Sequence, residues 1–412
     1  MRLRAFLLVL VGLSCACPLR AESNWPRWRG PRQDGHYDGP AIPLKWSSDA
    51  LTWKVPLKGR GQSTPIIWGE RIFLTTASAD GRQRSVFCLD RSGGKLLWEH
   101  EVAWKGEPEK QHQMNCYATP TCATDGEVVA AFFGRAGLHC FTVEGKHLWS
   151  RDLGSFENPW GTAASPVLVG DLVVQNCDAD VSAQIVAFDK KTGEERWRTA
   201  RPNFRGWSTP IVIEAAGRQE LVLNGHKGLT AYDPATGKEL WTCRNDMGRG
   251  EPTVTPGKDR LFNVCGLAGN MYAVRPGGSG DVTSSRVEWT APRRGGRDIG
   301  SALLLDNYLL LSSMNGLLSC YDAASGNELW KSRFSERTVS ASPIAATGLA
   351  YFLNEAGETM VVKPGPKLEL VARNTLSASR DEIFRATLTP SDGQIFVRSD
   401  KNLYCLGTRA KE

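Results

Sequence analysis

Histidine is scarce in this sequence, at six among 412 residues, and neither a His-Glu-x-x-His pair nor a Gly-x-Ser-x-Gly elbow occurs. The local signatures of a helix-borne zinc hydrolase and of a serine nucleophile are therefore missing. Triads assembled from distant segments leave no such trace, so the absence speaks only against local motifs. No Lys/Arg block is present, which argues against nucleic acid as a partner. No segment after the N-terminus approaches the ~20 apolar residues that span a bilayer, so no transmembrane segment is expected and peripheral membrane association stays open. A sustained 3.6-residue periodicity is also lacking, which excludes a solenoid of helix pairs.

What is present begins with a leader. Arg2 and Arg4 precede an apolar run from Ala5 to Leu13, and small residues lead to Leu19-Arg20-Ala21. This is the pattern of a secretory signal peptide, expected to be cut near Ala21, which places the mature protein in the periplasm or outside the cell. Cys15 and Cys17 follow Gly12 and Ser14 at the third position back, where a lipobox has an aliphatic residue, so a cleaved leader is preferred over a lipidated one. Without Arg2, Arg4 and Arg20, 47 basic residues face 44 acidic ones, a balance that names no partner. The expected division is a signal peptide at 1–21, an N-terminal extension at 22–45, one repetitive domain at 46–408 and a tail at 409–412.

The repeat is direct. Cys88-Leu-Asp-Arg-Ser-Gly-Gly-Lys-Leu-Leu-Trp98, Ala187-Phe-Asp-Lys-Lys-Thr-Gly-Glu-Glu-Arg-Trp197, Ala231-Tyr-Asp-Pro-Ala-Thr-Gly-Lys-Glu-Leu-Trp241 and Cys320-Tyr-Asp-Ala-Ala-Ser-Gly-Asn-Glu-Leu-Trp330 superimpose. Each reads as strand, tight turn and strand: Asp bonds the turn backbone and Gly takes the positive φ. Weaker copies end at Trp149 and Trp289, and one around 343–371 has lost its Trp. With Trp53 the tryptophans recur every 41 to 51 residues. A second signal, a small residue followed by Pro, opens strands at Thr64-Pro65, Thr119-Pro120, Ser165-Pro166, Thr209-Pro210 and Ser342-Pro343, with Glu251-Pro252, Ser301-Ala302 and Ala386-Thr387 in the same place.

Four short antiparallel strands per repeat of about 45 residues define a propeller blade. The expectation is an all-β, eight-bladed β-propeller, with seven blades as the alternative if 343–371 is irregular. After position 387 only three strands remain, and the missing outer strand lies at Leu51–Leu57 with Trp53 in the usual place. Pairing of the N- and C-terminal strands then closes the ring and removes open sheet edges. Trp53, Trp98, Trp149, Trp197, Trp241, Trp289 and Trp330 are read as packing residues between blades. Cys88, Cys140, Cys320 and Cys405 share a repeat position with Ala187, Ala231 and Ala273, which marks a small buried site. The other mature cysteines lack metal-ligand spacing, and mostly free, buried thiols are expected with no metal site.

The Ala-x-Asp-x-x-Thr-Gly-x-x-x-Trp pattern resembles the tryptophan-docking motif of pyrroloquinoline-quinone (PQQ) type propellers. Trp25-Pro26-Arg27-Trp28-Arg29-Gly30-Pro31, Leu44-Lys45-Trp46 and Trp53-Lys54-Val55 resemble the N-terminal signature of the same superfamily, and the resemblance covers the mature chain. It implies one of two things. Quinoprotein dehydrogenases hold PQQ and Ca²⁺ on the propeller axis, whereas the barrel-assembly propeller lipoprotein of the bacterial outer membrane is a bare binding scaffold. The adjacent Cys-Cys pair and the Cys-x-x-Cys-His haem site of the first group are absent here.

Function is expected on the links that cross from each outer strand to the next inner strand. These carry Arg60, Asn158, Trp160, Arg205, Trp207, Arg249, Glu251, Arg297, Asp298 and Arg337, with His112 and Asn115 in the second blade. Arg60, Arg205 and Arg297 lie five residues before the Pro65, Pro210 and Ala302 positions. One reading is a guanidinium ring at the channel mouth that takes a carboxylate, phosphate or acidic segment through bidentate bonds. The other is that each Arg pairs with a neighbouring carboxylate (Glu251, Asp298, Glu336, Asp381) and staples blades. The leading function is an exported, monomeric, non-catalytic scaffold that binds a protein or a small anionic ligand. The alternative is a PQQ/Ca²⁺-dependent oxidoreductase, for which Glu251, Asp298, Asn158 and Asn115 are the candidates.

Overall fold

Eight sheets stand in sequence order, each with an antiparallel four-stranded core; short parallel strands at His36–Tyr37 and Gly280–Asp281 add a fifth to two of them. The structure, a computed structural model, describes residues 23–47, 50–244, 249–266, 269–293 and 300–410. The leader and its cleavage site therefore lie outside the described residues, as do Arg297 and Asp298. The repeats become blade 1 (66–103), blade 2 (123–151), blade 3 (167–200), blade 4 (211–244), blade 5 (255–292), blade 6 (303–333), blade 7 (344–374) and blade 8, which joins 389–406 to Leu51–Pro56. The weak repeat is thus a full blade, and the count is eight. The only helical pieces among the described residues are Gly134–Ala136 and Thr283–Arg286. No described helix is long and apolar enough to cross a membrane.

Ring closure follows the expected pairing. Leu51–Pro56 runs antiparallel to Asn402–Leu406, with Trp53 opposite Cys405. The same cross-strand pair recurs as Cys88–Trp98, Ala187–Trp197, Ala231–Trp241, Ala273–Trp289 and Cys320–Trp330. Cys and Ala interchange there because the partner indole fills the space that a larger side chain would need. A β-bulge directly after the small residue twists the hairpin and re-aims the indole toward the next blade.

The indole N–H groups show where that aim leads. Trp53, Trp98, Trp149, Trp197, Trp289 and Trp330 donate to the carbonyls of Arg91, Val143, Lys190, Pro234, Ala323 and Gly365 in the following blade, at 2.9–3.2 Å. Trp241 differs and bonds the Glu220 carboxylate of its own blade at 2.8 Å. The turn glycines face these rings: a Cβ on Gly145 would lie 2.7 Å from Trp98. The Gly of the motif thus serves a positive φ, +95° at Gly145, and a close aromatic approach together.

The N-terminal segment seals one end of the channel. Trp25 is fully buried and exchanges two 2.9 Å backbone bonds with Ile67 of blade 1. Thr124 N–H of blade 2 donates to Pro26 O at 2.9 Å, and Arg27 reaches Leu168 O of blade 3 at 3.1 Å. Gln33 clasps blade 4 through Pro210 O and Val212 N–H, at 2.9 and 3.0 Å. Arg29 and His36 hold Ala302 O and Leu304 O of blade 6, at 2.8 and 2.6 Å. His36–Tyr37 pairs in parallel with blade 7, and Gly393 N–H of blade 8 donates to Tyr37 Oη at 3.3 Å. One short segment therefore ties seven of the eight blades and leaves the channel open at its other end only.

Candidate functional site

Inner strands begin at the open end, and their first residues form a belt. The backbone N–H of Thr387 donates to Thr64 Oγ1, Thr64 to Thr121, Thr121 to Ser165, Ser165 to Thr209, Thr209 to Thr253, Thr253 to Ser301 and Ser301 to Ser342, at 2.9–3.2 Å. This order corrects the strand openings read from sequence. The residues equivalent to Thr64 are Thr121, Thr253 and Thr387, where Thr119, Glu251 and Ala386 were expected. At Thr121 and Thr253 the shift is two residues, which preserves the in/out alternation of a strand, so the Pro at 120 and 252 set the register falsely; at Thr387 it is one residue. In the corrected register Arg249 stands four residues before Thr253, as Arg60 does before Thr64 and Arg205 before Thr209.

Above the belt lies a blind cavity of about 200 Å³. Its floor includes Trp28 from the sealing segment, and belt residues Thr64, Thr121, Ser165, Thr209, Ser342 and Thr387 line its throat. Its upper wall carries Gln62, His112, Met114, Asn115, Trp160, Trp207, Glu251, Met314 and Arg385. Asn115 fixes the second link against the third by donating to Trp160 O at 2.8 Å and Thr162 O at 3.2 Å. Trp207 Nε1 donates to Gly161 O at 2.7 Å, and Gln62 Nε2 to Met114 O at 3.2 Å. Trp160 lies against the His112 ring, with centroids 4.4 Å apart, and beneath the Arg249 guanidinium at 5.9 Å.

Charge at the mouth is balanced rather than uniformly positive. The Arg385 fork grips Glu355 at 2.9 and 3.2 Å and also donates to Met114 O at 3.1 Å. The Glu251 side chain is only 5% exposed and stands 4.0 Å from Arg249. A third cation, Arg398, is fully buried behind the throat and donates to Ser63 O and Thr75 O at 2.7 and 2.6 Å. Burial pushes its pKa down to about 10. Arg398 reaches these carbonyls past Gly61, where a Cβ would lie 2.5 Å from Thr75 O and collide with the guanidinium itself.

The residues expected on the links divide. Trp160, Trp207 and Glu251 line the cavity, and Arg249 touches it from behind Trp160. Arg205 pairs with Asp180 at 3.0 Å and covers Phe204. The Arg60 guanidinium is mostly exposed, 4.0 Å from Asp400. Asn158 shapes its own turn by accepting Trp160 N–H at 2.8 Å and donating to Phe156 O at 3.2 Å. Arg337 lies in a turn capped by Ser335. Trp28, Arg385 and the hydroxyl belt are additions that sequence did not single out as a site. The belt was nonetheless visible as the Ser/Thr of the strand-opening pairs.

Topology, docking motif and axial cavity define a β-propeller of the quinoprotein-like repeat class. A family model described as Outer membrane protein assembly factor BamB matches residues 38–174, 82–297 and 268–364, and the chain belongs to that family. The outer membrane protein assembly factor BamB of Burkholderia pseudomallei (strain K96243) is 23% identical over 290 residues, 66% of each chain, so this chain spans about two thirds of that relative. The crystal structure of BamB from Moraxella catarrhalis superposes with a TM-score of 0.63 at 17% identity, covering 86% of this chain and 98% of that one. A europium-containing methanol dehydrogenase superposes with a TM-score of 0.69 at 12% identity, covering 94% and 98%. At these identities the structural likeness is one of fold.

The dehydrogenase likeness raises the question of PQQ. Glu251 and Asn115 do share the cavity wall, but Asn158 is engaged with backbone. Among the described residues no three His, Cys, Asp or Glu side chains are grouped to hold a metal ion. Of the four groups expected for the quinone–Ca²⁺ pair the described lining holds Glu251 and Asn115, and Asp298 lies outside the described residues.

Proposed function

We propose that this chain is an exported, monomeric, non-catalytic scaffold that receives a segment of a partner protein, or a small anionic ligand, on the link-bearing face. The observation that carries this reading is the blind cavity. It presents Trp160 and Trp207 at its mouth and Trp28 at its floor, while its charged groups are held by one another. Anchored aromatics in a preformed hollow are the usual centres of binding energy at protein interfaces. Membership of the family of outer membrane protein assembly factors directs the test to outer-membrane proteins as partners.

In that test the mature chain is titrated with a fluorescently labelled, urea-diluted outer-membrane β-barrel protein, and anisotropy is followed. Trp160→Ala and Trp207→Ala are each expected to weaken binding about tenfold, the effect of losing an interface anchor worth more than 1 kcal/mol. Unchanged affinity in both variants overturns the assignment to this face. A parallel titration with PQQ and Ca²⁺ covers the alternative, since a stoichiometric complex with dye-linked alcohol oxidation would replace the scaffold reading.

A further inference from the structure

A hydroxyl carries one proton and two acceptor lone pairs, and a buried polar group left unmatched calls for a partner. In the belt each hydroxyl oxygen from Thr64 round to Ser342 accepts a backbone N–H, so its acceptor side is engaged. Thr253 also has a use for its proton, donated to Thr209 O at 3.1 Å. For Thr64, Thr121, Ser165, Thr209 and Ser342 no acceptor lies within hydrogen-bond reach among the described residues. All five are 1–6% exposed, and all five line the one throat. Five buried O–H donors thus line one throat without meeting an acceptor of their own among the described residues, and the Glu251 carboxylate stands on the wall above them.

We propose that this throat binds an acceptor-only oxyanion, sulfate or carboxylate in type, held by the hydroxyl belt above Trp28. The inference rests on the reading of this face as a binding face and names the chemistry at its centre. Arg385 and Glu251 stand on the wall above with their own charge partners, so the anion is held by neutral donors rather than by a guanidinium ring. Neutral donors fixed by a backbone ring need no rearrangement to receive charge, the principle of a preorganised anion hole. The belt also discriminates. Hydrogen phosphate retains a proton that needs an acceptor, and the belt offers donors only. Sulfate is therefore preferred to phosphate. The same chemistry is met by a free oxyanion or by the carboxylate of an inserted partner chain.

Isothermal titration of the mature chain with sodium sulfate, sodium phosphate and an acidic peptide ending in a free carboxylate tests this, at constant ionic strength set with sodium chloride. Saturable sulfate binding that exceeds phosphate binding is expected. Competition between sulfate and the peptide identifies a partner carboxylate as occupant, whereas sulfate binding without competition identifies a free oxyanion. Thr209→Val removes one donor, and with it the acceptor of the Ser165 N–H, and is expected to weaken sulfate about tenfold, the effect of a charge-assisted hydrogen bond near 1.4 kcal/mol. Thr209→Ser retains the donor and is expected to retain affinity. Should the valine variant fail to fold, crystals of the unaltered protein soaked in selenate decide the matter, because the anomalous peak must lie within the belt. No saturable sulfate binding, a selenate peak elsewhere, or equal affinity in the valine variant overturns the proposal. A labelled β-barrel protein that still binds through Trp160 and Trp207 would then leave the scaffold reading standing alone.

Discussion

His139 makes the pH dependence of stability calculable from one ring. It lies on the third strand of blade 2, 7% exposed, and its Nε2 contacts Ala136 O at 2.8 Å. A carbonyl only accepts, so Nε2 carries the proton and Nδ1 is the bare nitrogen, buried with no hydrogen-bond partner. Protonation would place an unmatched N–H in that apolar spot. Burial accordingly holds the His139 pKa down at about 4 from the ordinary 6.5, assisted by His147 and His100 and opposed by the Ala136 carbonyl. Because the folded pKa lies below the unfolded one, the contribution is fully present above pH 6.5 and is lost as pH falls toward 4. Each unit costs about 1.4 kcal/mol, so the window holds roughly 3 kcal/mol.

The variant His139→Phe isolates this effect. Phe133 and Phe141 already surround the ring, and the half-buried Ala136 carbonyl can turn to water. At neutral pH the variant is expected to lose only the hydrogen bond, about 1 kcal/mol. Urea unfolding of both proteins from about pH 7.5 to about 4.5 should show the wild type falling by about 2–3 kcal/mol more than the variant. Every other titratable side chain is common to both proteins, so the difference reports His139. Parallel stability curves would refute the reasoning.

Two further outcomes follow from packing. Gly61→Ala is expected to cost about 3 kcal/mol in urea unfolding, because its Cβ displaces the fully buried Arg398 from Ser63 and Thr75. Gly93→Ala, which meets nothing within 4 Å, should be near neutral. Trp53→Ala removes the indole that bonds Arg91 O and rests against Phe396, so about 2–3 kcal/mol should be lost for this partly buried ring. Amide exchange should then rise first along Leu403–Leu406. Exchange that rises equally in all blades would count against a closure-specific role.

The blades were legible because their rules are local. Asp, Gly and Trp at fixed offsets encode the turn, the bulge and the docking carbonyl within one repeat, and the two half-sets of strands at the termini forced the closure at Trp53. The site was less legible because it is made of convergence. Thr253 was hidden by the Glu251-Pro252 pair, because Glu251 lies two residues away and on the same strand face. The partners of Arg60 and Arg205 proved to be Asp400 and Asp180, each far along the chain. Nothing in residues 25–37 announces that they seal the channel, since their contacts run to seven blades across more than three hundred residues. Arg385 and Trp28 enter the cavity only once the ring exists.

The same segment has a consequence for the order in which this molecule can be made. Residues 25–56 supply both the stopper of the channel and the last strand of blade 8, yet their partners extend to Leu406. The first part of the chain to be synthesised is thus the last to find its place. A nascent chain can stack its middle blades as they emerge, but neither the throat nor the cavity exists until blade 8 has met the waiting strand. On the proposed function, binding depends on ring closure, and a chain without its final strand would present an open edge there.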